Sequence, residues 1–207
     1  MEAGLELLFE KGVDLGLRSL PVTEVAARAG RTTGSVYQIW PTQPAFHHDL
    51  ALAAIERDAK LFPPDVLLAK GQSVLQRGGS IEQYISVAAD GYLPELAESP
   101  AFFLIVHFWA VALSDDVLRE AIRATYAESQ EEYAAAYQAL LDHFGLRAKA
   151  PHSTADIALG IRAIAEGFAL RRGLDPASLQ TRMKKGQLSV FASAVLGFVE
   201  RMTEPVE

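Results

Sequence analysis

Apolar residues recur at intervals of three and four positions through most of this chain, and glycines and prolines separate one such segment from the next. This spacing places apolar side chains on one face of an α-helix, whereas a half-buried strand would alternate apolar and polar residues. We find no convincing alternation of that kind. The pattern therefore predicts an all-α fold, with a small three-helix head followed by six or so further helices.

The bulk composition narrows the class of protein. Of the 207 residues, 50% are hydrophobic and 22% are charged, which is typical of a folded chain and excludes a disordered one. The absence of cysteine excludes disulfides, cysteine zinc sites and thiol nucleophiles. The first residues lack the basic start of a secretory signal, and the longest apolar run, residues 101–113, is shorter than the roughly 20 residues that span a bilayer. We expect a cytoplasmic protein without a membrane partner.

The segment A-G-R-T-T-G-S-V-Y-Q-I-W, residues 29–40, places two helices close together. Gly30 can adopt the left-handed conformation that ends a helix begun after Pro21, and Thr32 is a suitable N-cap for the next helix. Two helices joined by such a turn form a helix-turn-helix. When that unit binds DNA, its second helix lies in the major groove. We expect this second helix over residues 33–40.

The predicted second helix carries groups that suit a nucleic-acid surface. Its early positions offer hydroxyl and amide groups that can hydrogen-bond bases or phosphate oxygens, and a glycine that permits close backbone approach. The candidates for DNA contact are Thr32, Thr33, Gly34, Ser35, Tyr37 and Gln38. On the residues alone, an ordinary helical hairpin with a solvated polar face is an equally good alternative.

These residues resemble the tetracycline-repressor (TetR) family of bacterial transcriptional regulators. In that family the stretch reads as a hydroxyl residue, any residue, glycine, serine or threonine, an aliphatic residue, tyrosine, two more residues and an aromatic. The residues that match in order are Thr32, Gly34, Ser35, Val36, Tyr37 and Trp40, with Leu8, Phe9, Val25, Ala26, Ala29 and Gly30 before them and Phe46 and Leu50 after them. The resemblance implies a helix-turn-helix DNA-binding head over residues 1–43 and an effector-binding and dimerisation domain over residues 44–207.

The resemblance also implies a mechanism. A homodimer would bind a palindromic operator in double-stranded DNA and release it when a small, largely apolar organic effector enters the carboxyl-terminal bundle. The middle helices are rich in aromatic residues, and the effector-binding candidates are Phe103, His107, Tyr126 and Tyr133. For each of these residues, a plain core position is the alternative.

The last two long helices are the expected dimer interface. The resemblance implies that they pair with their copies in a four-helix arrangement, and both carry broad apolar stripes. The candidates for the dimer interface are Ile161, Phe168, Phe191, Val195 and Phe198. A monomer in which these stripes are internal is the alternative, because periodicity does not distinguish the two.

The head departs from the family pattern in ways that bear on DNA binding. The family usually has a lysine shortly after the recognition helix, where it helps to seat the phosphate backbone, and this chain has Gln43, which we keep among the DNA-contact candidates. Residues 1–50 carry four cationic and six anionic side chains, whereas phosphate neutralisation supplies much of DNA affinity. Two interpretations follow: a DNA-binding regulator, which we favour, or a dimer of the same fold that binds a ligand or partner without holding DNA.

No pattern in the chain indicates catalysis or metal binding. We find no nucleophile–base pair and no glycine-rich phosphate loop. His47 and His48 are adjacent, so on a helix they point about 100° apart and form a poor chelate. We therefore predict no catalytic residues, no metal and no cofactor, and an enzyme that uses the aromatic cavity is the weakest alternative.

Overall fold

The computed structural model describes residues 1–11, 20–58, 63–179 and 188–206, and these ranges are almost entirely helical. The all-α prediction is confirmed. The helices are α1 Glu2–Lys11, α2 Val22–Arg28, α3 Thr33–Ile39, α4 Gln43–Asp58, α5 Pro64–Ala69, α6 Gln72–Gln76, α7 Ile81–Ala97, α8 Pro100–Ala112, α9 Asp116–His143, α10 Thr154–Leu174 and α11 Val190–Met202. A short 3-10 helix, Pro176–Leu179, follows α10.

The chain forms two compact units. The first comprises Met1–Leu61 and Ser99–Tyr126, and the second comprises Phe62–Glu98 and Ala127–Glu207. The helix α9 therefore contributes its first part to one unit and the remainder to the other. The functional boundary expected after residue 43 does not coincide with a packing boundary, because α4 belongs to the core of the first unit.

The core of the first unit lies where α1, α4 and α8 bring their apolar faces together. Phe46 and Leu50 of α4 and Phe108 of α8 are completely buried. The helices α2 and α3 add Val25 and Val36 to the same cluster. Burial of these side chains, at about 1.5–3 kcal/mol for each large one, is the main force that holds α3 against the rest of the head.

A serine followed three residues later by a glutamine or an aspartate predicts a helix start at residues 80 and 153, and the structure has one at each. Ser80 with Gln83 forms a capping box at α7, and Ser153 with Asp156 forms another at α10. The hydrogen bonds from Ser153 hold the pKa of the Asp156 carboxyl below its usual value. Thr32 caps α3 as predicted. These motifs were readable because a cap links groups only two or three residues apart.

Several helix boundaries differ from the predicted ones. In residues 62–79, the prolines at 63 and 64 and the glycines at 78 and 79 predict one short helix between them, but the chain forms two there, α5 and α6. Two arginines followed by Gly173 predict a helix end before that glycine, but α10 continues to Leu174. The described part of the final helix begins at Val190, with Ser189 as its cap. The apolar spacing also predicts a helix end at Gly12 and a helix start near Lys185, and both positions lie outside the described residues.

The phase of α9 was also predicted wrongly at its amino end. The apolar spacing from residue 117 to residue 144 predicts that Val117 lies on the buried stripe, but it is 56% exposed, whereas its neighbour Leu118 is buried. The reason is that the first turn packs through Leu118 and Ile122 into the core of the first unit. A stripe fitted over the whole helix therefore misses the local orientation of its first turn.

Two short strands were not predicted. The strands β1 Leu146–Ala148 and β2 Thr203–Pro205 pair antiparallel, with Arg147 opposite Glu204. The guanidinium of Arg147 lies 3.0 Å from the carboxylate of Glu204. Strands of three residues are too short to show an alternating pattern, and their pairing joins segments that are distant in sequence. The left-handed Gly145, with φ of 65°, turns the chain from α9 into β1.

The core of the second unit is formed by α7, α10 and α11. Buried side chains on these helices include Leu93, Ile157, Phe191 and Val195. Within the described ranges, no single helix is both long and apolar enough to cross a bilayer, although α7 and α8 reach that length and hydropathy when taken together across their break.

Candidate functional site

The turn between α2 and α3 is closed by its own backbone. Gly30 has φ of +63°, the left-handed conformation that the sequence predicts. Its N–H donates to the carbonyl of Ala27 at 3.1 Å, and the N–H of Arg31 donates to the carbonyl of Ala26 at 2.8 Å. This pair of bonds is a Schellman motif, which satisfies the last carbonyls of a helix. The turn is thus a fixed connection that sets where α3 begins.

The hydroxyl groups of Thr32 and Ser35 bond to each other's backbone. The Oγ1 atom of Thr32 accepts from the Ser35 N–H at 3.2 Å, and the Ser35 hydroxyl donates to the Thr32 carbonyl at 2.7 Å. The Thr32 hydroxyl can still donate its hydrogen to a phosphate oxygen. The Ser35 oxygen can still accept from a base amino group. Both candidates therefore keep hydrogen-bonding capacity toward DNA, although the donor of Ser35 is already used.

The side of α3 that is turned away from the core carries the remaining candidates. Val36 packs inward, whereas Gly34 and Gln38 are exposed and Tyr37 is 40% exposed. Thr33 is half-buried at the start of the helix. This surface offers an amide, a phenol and hydroxyls to solvent. Those groups can hydrogen-bond base edges and phosphates.

Ile39 is on the exposed surface of α3 but was not among the predicted contacts. It is 67% exposed, which is high for an isoleucine in a folded unit. Its exposure depends on how α3 ends. The side chain of the next residue, Trp40, packs on α4: its indole N–H donates to Asp49 at 2.8 Å, and its ring meets Phe46 edge-on at 5.2 Å. A side chain of this kind can contact a thymine methyl group.

Gln43 is the first residue of α4 and lies at a helix end with few free donors. The residue before it, Thr42, caps the helix, because its Oγ1 accepts from the Ala45 N–H at 3.2 Å. The residue after it, Pro44, has no N–H. The backbone and side-chain amides of Gln43 are therefore the donors that this end of α4 offers to a phosphate.

Three acidic residues of α1 form ion pairs with arginines of other helices. Glu10 accepts two hydrogen bonds of 2.6 and 2.9 Å from the Arg28 guanidinium, and Glu6 lies 3.6 Å from the same group. These contacts raise the pKa of Arg28, with the hydrogen bond to Glu10 as the largest cause. Glu2 pairs with Arg57 at 3.1 Å. The acidic stripe of α1 thus ties this helix to α2 and α4.

Three of the effector candidates lie in the first unit among other aromatic rings. Phe103 and His107 are half-buried on α8, and Tyr126 is half-buried on α9. The Tyr126 ring lies 6.2 Å from that of Trp109, edge-on. The indole N–H of Trp109 is buried and has no hydrogen-bond acceptor among the described residues. Such an orphan donor is uncommon in a folded interior, and Trp109 was not among the predicted residues.

The fourth effector candidate, Tyr133, belongs to the second unit. Its ring stacks on Tyr137 at 6.4 Å, and the Arg162 guanidinium lies over it at 5.8 Å. Arg162 also donates to Glu166 at 2.8 Å and to Ser129 at 3.1 Å. Burial raises the pKa of the Glu166 carboxyl, although Arg162 opposes this. Tyr133 therefore lies in a polar cluster that the sequence did not indicate.

Three of the five dimer candidates, Ile161, Phe191 and Val195, are buried in their own unit. They face inward because α10 and α11 pack on each other and on α7. Phe168 and Phe198 are half-buried. The ring of Phe168 lies 5.2 Å from that of Phe191, and the ring of Phe198 lies against Gly160, where an added Cβ would overlap it.

The outward surface of α10 and α11 carries different residues. Leu159 is 58% exposed and Val190 is 61% exposed. Gly167 and Gly197 have open space where a side chain would project. A second helix could therefore approach this surface closely.

One histidine of the adjacent pair in α4 has a structural role. His47 is buried, and its Nε2 lies 2.8 Å from the carbonyl of Leu20, so this nitrogen carries the donated hydrogen. No three histidine, aspartate or glutamate side chains converge in a metal-binding group in the described part of the chain.

A helix-turn-helix followed by a larger set of helices is the architecture of helical transcriptional regulators. A family model described as the carboxyl-terminal part of BetI-type transcriptional repressors matches residues 83–196, more than half of the chain. The chain belongs to the TetR family of transcriptional regulators, as the resemblance of residues 29–40 implied. No curated protein sequence matches it.

Solved structures of the same family share the fold. A protein from Mesorhizobium loti, described as a TetR-family transcriptional regulator, is 15% identical and has a TM-score of 0.61 over 97% of this chain and 93% of its own. A transcriptional regulator from Rhodococcus sp. Rha1 is 22% identical, with a TM-score of 0.58 over 97% and 94%. A third, from Rhodococcus sp., is 18% identical, with a TM-score of 0.55 over 98% and 99%. At these identities the likeness establishes the fold.

Proposed function

We propose that this chain is a homodimeric, ligand-responsive repressor that binds a palindromic operator through α3. The observation that carries the proposal is the exposed surface of α3, presented by a fixed turn. The Schellman motif at Gly30 sets the start of the helix, and Val36 and Trp40 hold its inner side. Tyr37 and Gln38 are then left to solvent on a helix of major-groove size.

Each residue of this surface has a distinct role in the proposal. Gln38 and Thr33 read base edges, because an amide and a hydroxyl can both donate and accept. Tyr37 and the free hydrogen of Thr32 contact phosphate oxygens and set the register of the head. Ser35 accepts from a base amino group, and Gly34 lets the backbone approach the groove.

The dimer forms through the outward surfaces of α10 and α11. The exposed Leu159 and Val190 supply apolar contacts, together with the half-buried Phe168 and Phe198. Gly167 and Gly197, which are open where a side chain would project, let the partner helix approach closely. An operator-binding dimer must place its two copies of α3 in major grooves about 34 Å apart, one turn of B-DNA.

The effector binds beside the aromatic side chains of α8 and the start of α9. The buried indole N–H of Trp109 supports this, because a ligand with an acceptor oxygen would satisfy it. Phe103 and Tyr126 supply apolar surface, and His107 supplies a polar group. Release of DNA follows if the effector favours a dimer geometry unsuited to the operator, with a coupling of about 1–3 kcal/mol.

Fluorescence anisotropy with duplexes that tile the DNA upstream of the chain's own coding sequence tests the proposal. We expect salt-sensitive binding to one fragment, and loss of that binding when a small molecule retained through purification and identified by native mass spectrometry is added back. If no fragment is bound at low salt, DNA binding by this chain is refuted.

A second function has one observation in its favour. Two cations of the first unit, Arg28 and Arg57, are already neutralised by carboxylates of α1. A head of this kind would suit a dimer that binds a ligand or partner protein without DNA. The same anisotropy experiment separates the two, because this alternative predicts ligand binding by a chain that binds none of the fragments.

A further inference from the structure

Among the arginines of the first unit that the structure describes, ion pairs leave one without a carboxylate. Five arginines in this unit have described side chains, and four of them are paired. The pairs are Arg28 with Glu6 and Glu10, Arg57 with Glu2, Arg119 with Asp116, and Arg123 with Glu120. The fifth, Arg31, is exposed and has no hydrogen bond or ion pair from its guanidinium within the described ranges.

We propose that Arg31 is the main phosphate-binding cation of the DNA surface, in place of the lysine that this chain lacks at position 43. This inference rests on the proposed DNA-binding function. Arg31 directly precedes the N-cap of α3, and its backbone N–H is held by the carbonyl of Ala26 at 2.8 Å. Its side chain therefore starts from a fixed point beside the amino end of the recognition helix. An apolar residue is usual at this turn position in the family.

The amino end of α4 has few donors and no positive charge to offer a phosphate, so the cation must come from elsewhere. Pro44 removes one donor, and Thr42 already occupies the N–H of Ala45. Gln43 contributes neutral amides only. A neutral donor can position a phosphate but releases no counterion, so it adds little to the salt-dependent part of the affinity. A guanidinium supplies both charge and paired N–H groups that match phosphate oxygens.

The ion pairs determine which cations contribute to the salt dependence. Arg28 is held by two carboxylates, so a phosphate would have to compete with charges that are already close. Arg31 has no such competitor among the described residues. Each neutralised phosphate makes the slope of log affinity against log salt more negative by about 0.9 in B-DNA. Two copies of Arg31 in a dimer should therefore account for about 2 units of that slope.

The experiment measures operator affinity by fluorescence anisotropy across a salt series for the wild type, Arg31→Gln, Arg31→Lys and a control. The control is Arg77→Gln, which removes the same charge from an exposed arginine at the end of α6 in the second unit. The probe is the upstream fragment that the wild type binds. Thermal melting by circular dichroism verifies that each variant is folded.

We expect Arg31→Gln to bind more weakly at low salt and to lose about 2 units of slope. Between about 50 and 200 mM salt it should then lose about tenfold less affinity than the wild type does. Arg31→Lys should keep the slope, and Arg77→Gln should match the wild type. If Arg31→Gln is folded and keeps the wild-type slope, the assignment of Arg31 is overturned while DNA binding stands. If the wild type binds no fragment, the proposed function itself fails and the inference fails with it.

Discussion

Replacement of Gly30 by alanine tests whether the turn geometry sets the DNA surface. The residue has φ of +63°, and a Cβ added there would meet no atom within 4 Å. The cost of the change is therefore backbone strain alone, about 1–2 kcal/mol for an L-residue in the left-handed conformation. For a chain of this size, each kcal/mol corresponds to a shift in melting temperature of about 2–4 °C.

Gly78 provides a matched control in the second unit. It has φ of +67° and is likewise open around its Cβ position, so Gly78→Ala should destabilise by a similar amount. Only Gly30→Ala should also weaken operator binding. If the free variant relaxes the turn and must restore it on the DNA, the strain of about 1–2 kcal/mol reappears as a loss of about five- to thirtyfold in affinity per subunit.

Thermal denaturation and anisotropy on the same preparations give both quantities. Gly30→Asn should fall between the wild type and Gly30→Ala, because asparagine tolerates the left-handed conformation better than alanine does. The reasoning is refuted if Gly30→Ala is as stable as the wild type, or if Gly78→Ala weakens DNA binding as much as Gly30→Ala.

Three further predictions concern single side chains. Tyr37→Phe should weaken binding to all duplexes alike, and an unchanged affinity would contradict its phosphate contact. Gln38→Ala should instead change the sequence preference, measured by selection from a random library. Trp109→Phe should keep operator affinity and reduce effector-induced release of DNA. Release is measured by titrating the effector into the protein–DNA complex, and unchanged release would argue against the indole N–H as a ligand contact. Gly160→Ala should destabilise by about 1–3 kcal/mol because its Cβ would overlap an aromatic ring. Gly91→Ala in α7, whose Cβ would meet only the flexible side chain of Lys70 at 3.3 Å, should be neutral or stabilise by up to about 1 kcal/mol. Equal melting temperatures for the two variants would show that the packing argument is wrong.

The recognition surface was largely predictable because its determinants are local. The left-handed Gly30, the Thr32 cap and the inward Val36 all follow from hydrogen bonds and spacings within a few residues. The capping boxes at Ser80 and Ser153 follow for the same reason. The all-α class also follows, since helical periodicity needs no knowledge of distant contacts.

The bundle was harder to predict because its pattern does not say which apolar stripe meets which neighbour. Ile161 and Val195 were expected at a dimer interface, and they are buried within their own unit. A stripe that packs on α7 has the same spacing as one that packs on a second copy. The aromatic candidates likewise divide between units, with Tyr126 in the first and Tyr133 in the second.

The amino-acid sequence by itself determined the helices, their caps and the helix-turn-helix, because these depend on backbone hydrogen bonds between near neighbours. Only the tertiary structure decided which charged side chains form ion pairs and which remain available to a binding partner. Glu10 and Arg28 are 18 positions apart, and only packing of α1 on α2 brings them to 2.6 Å. A count of acids and bases treats all charges of the head alike, but the ion pairs cancel some of them and leave Arg31 exposed.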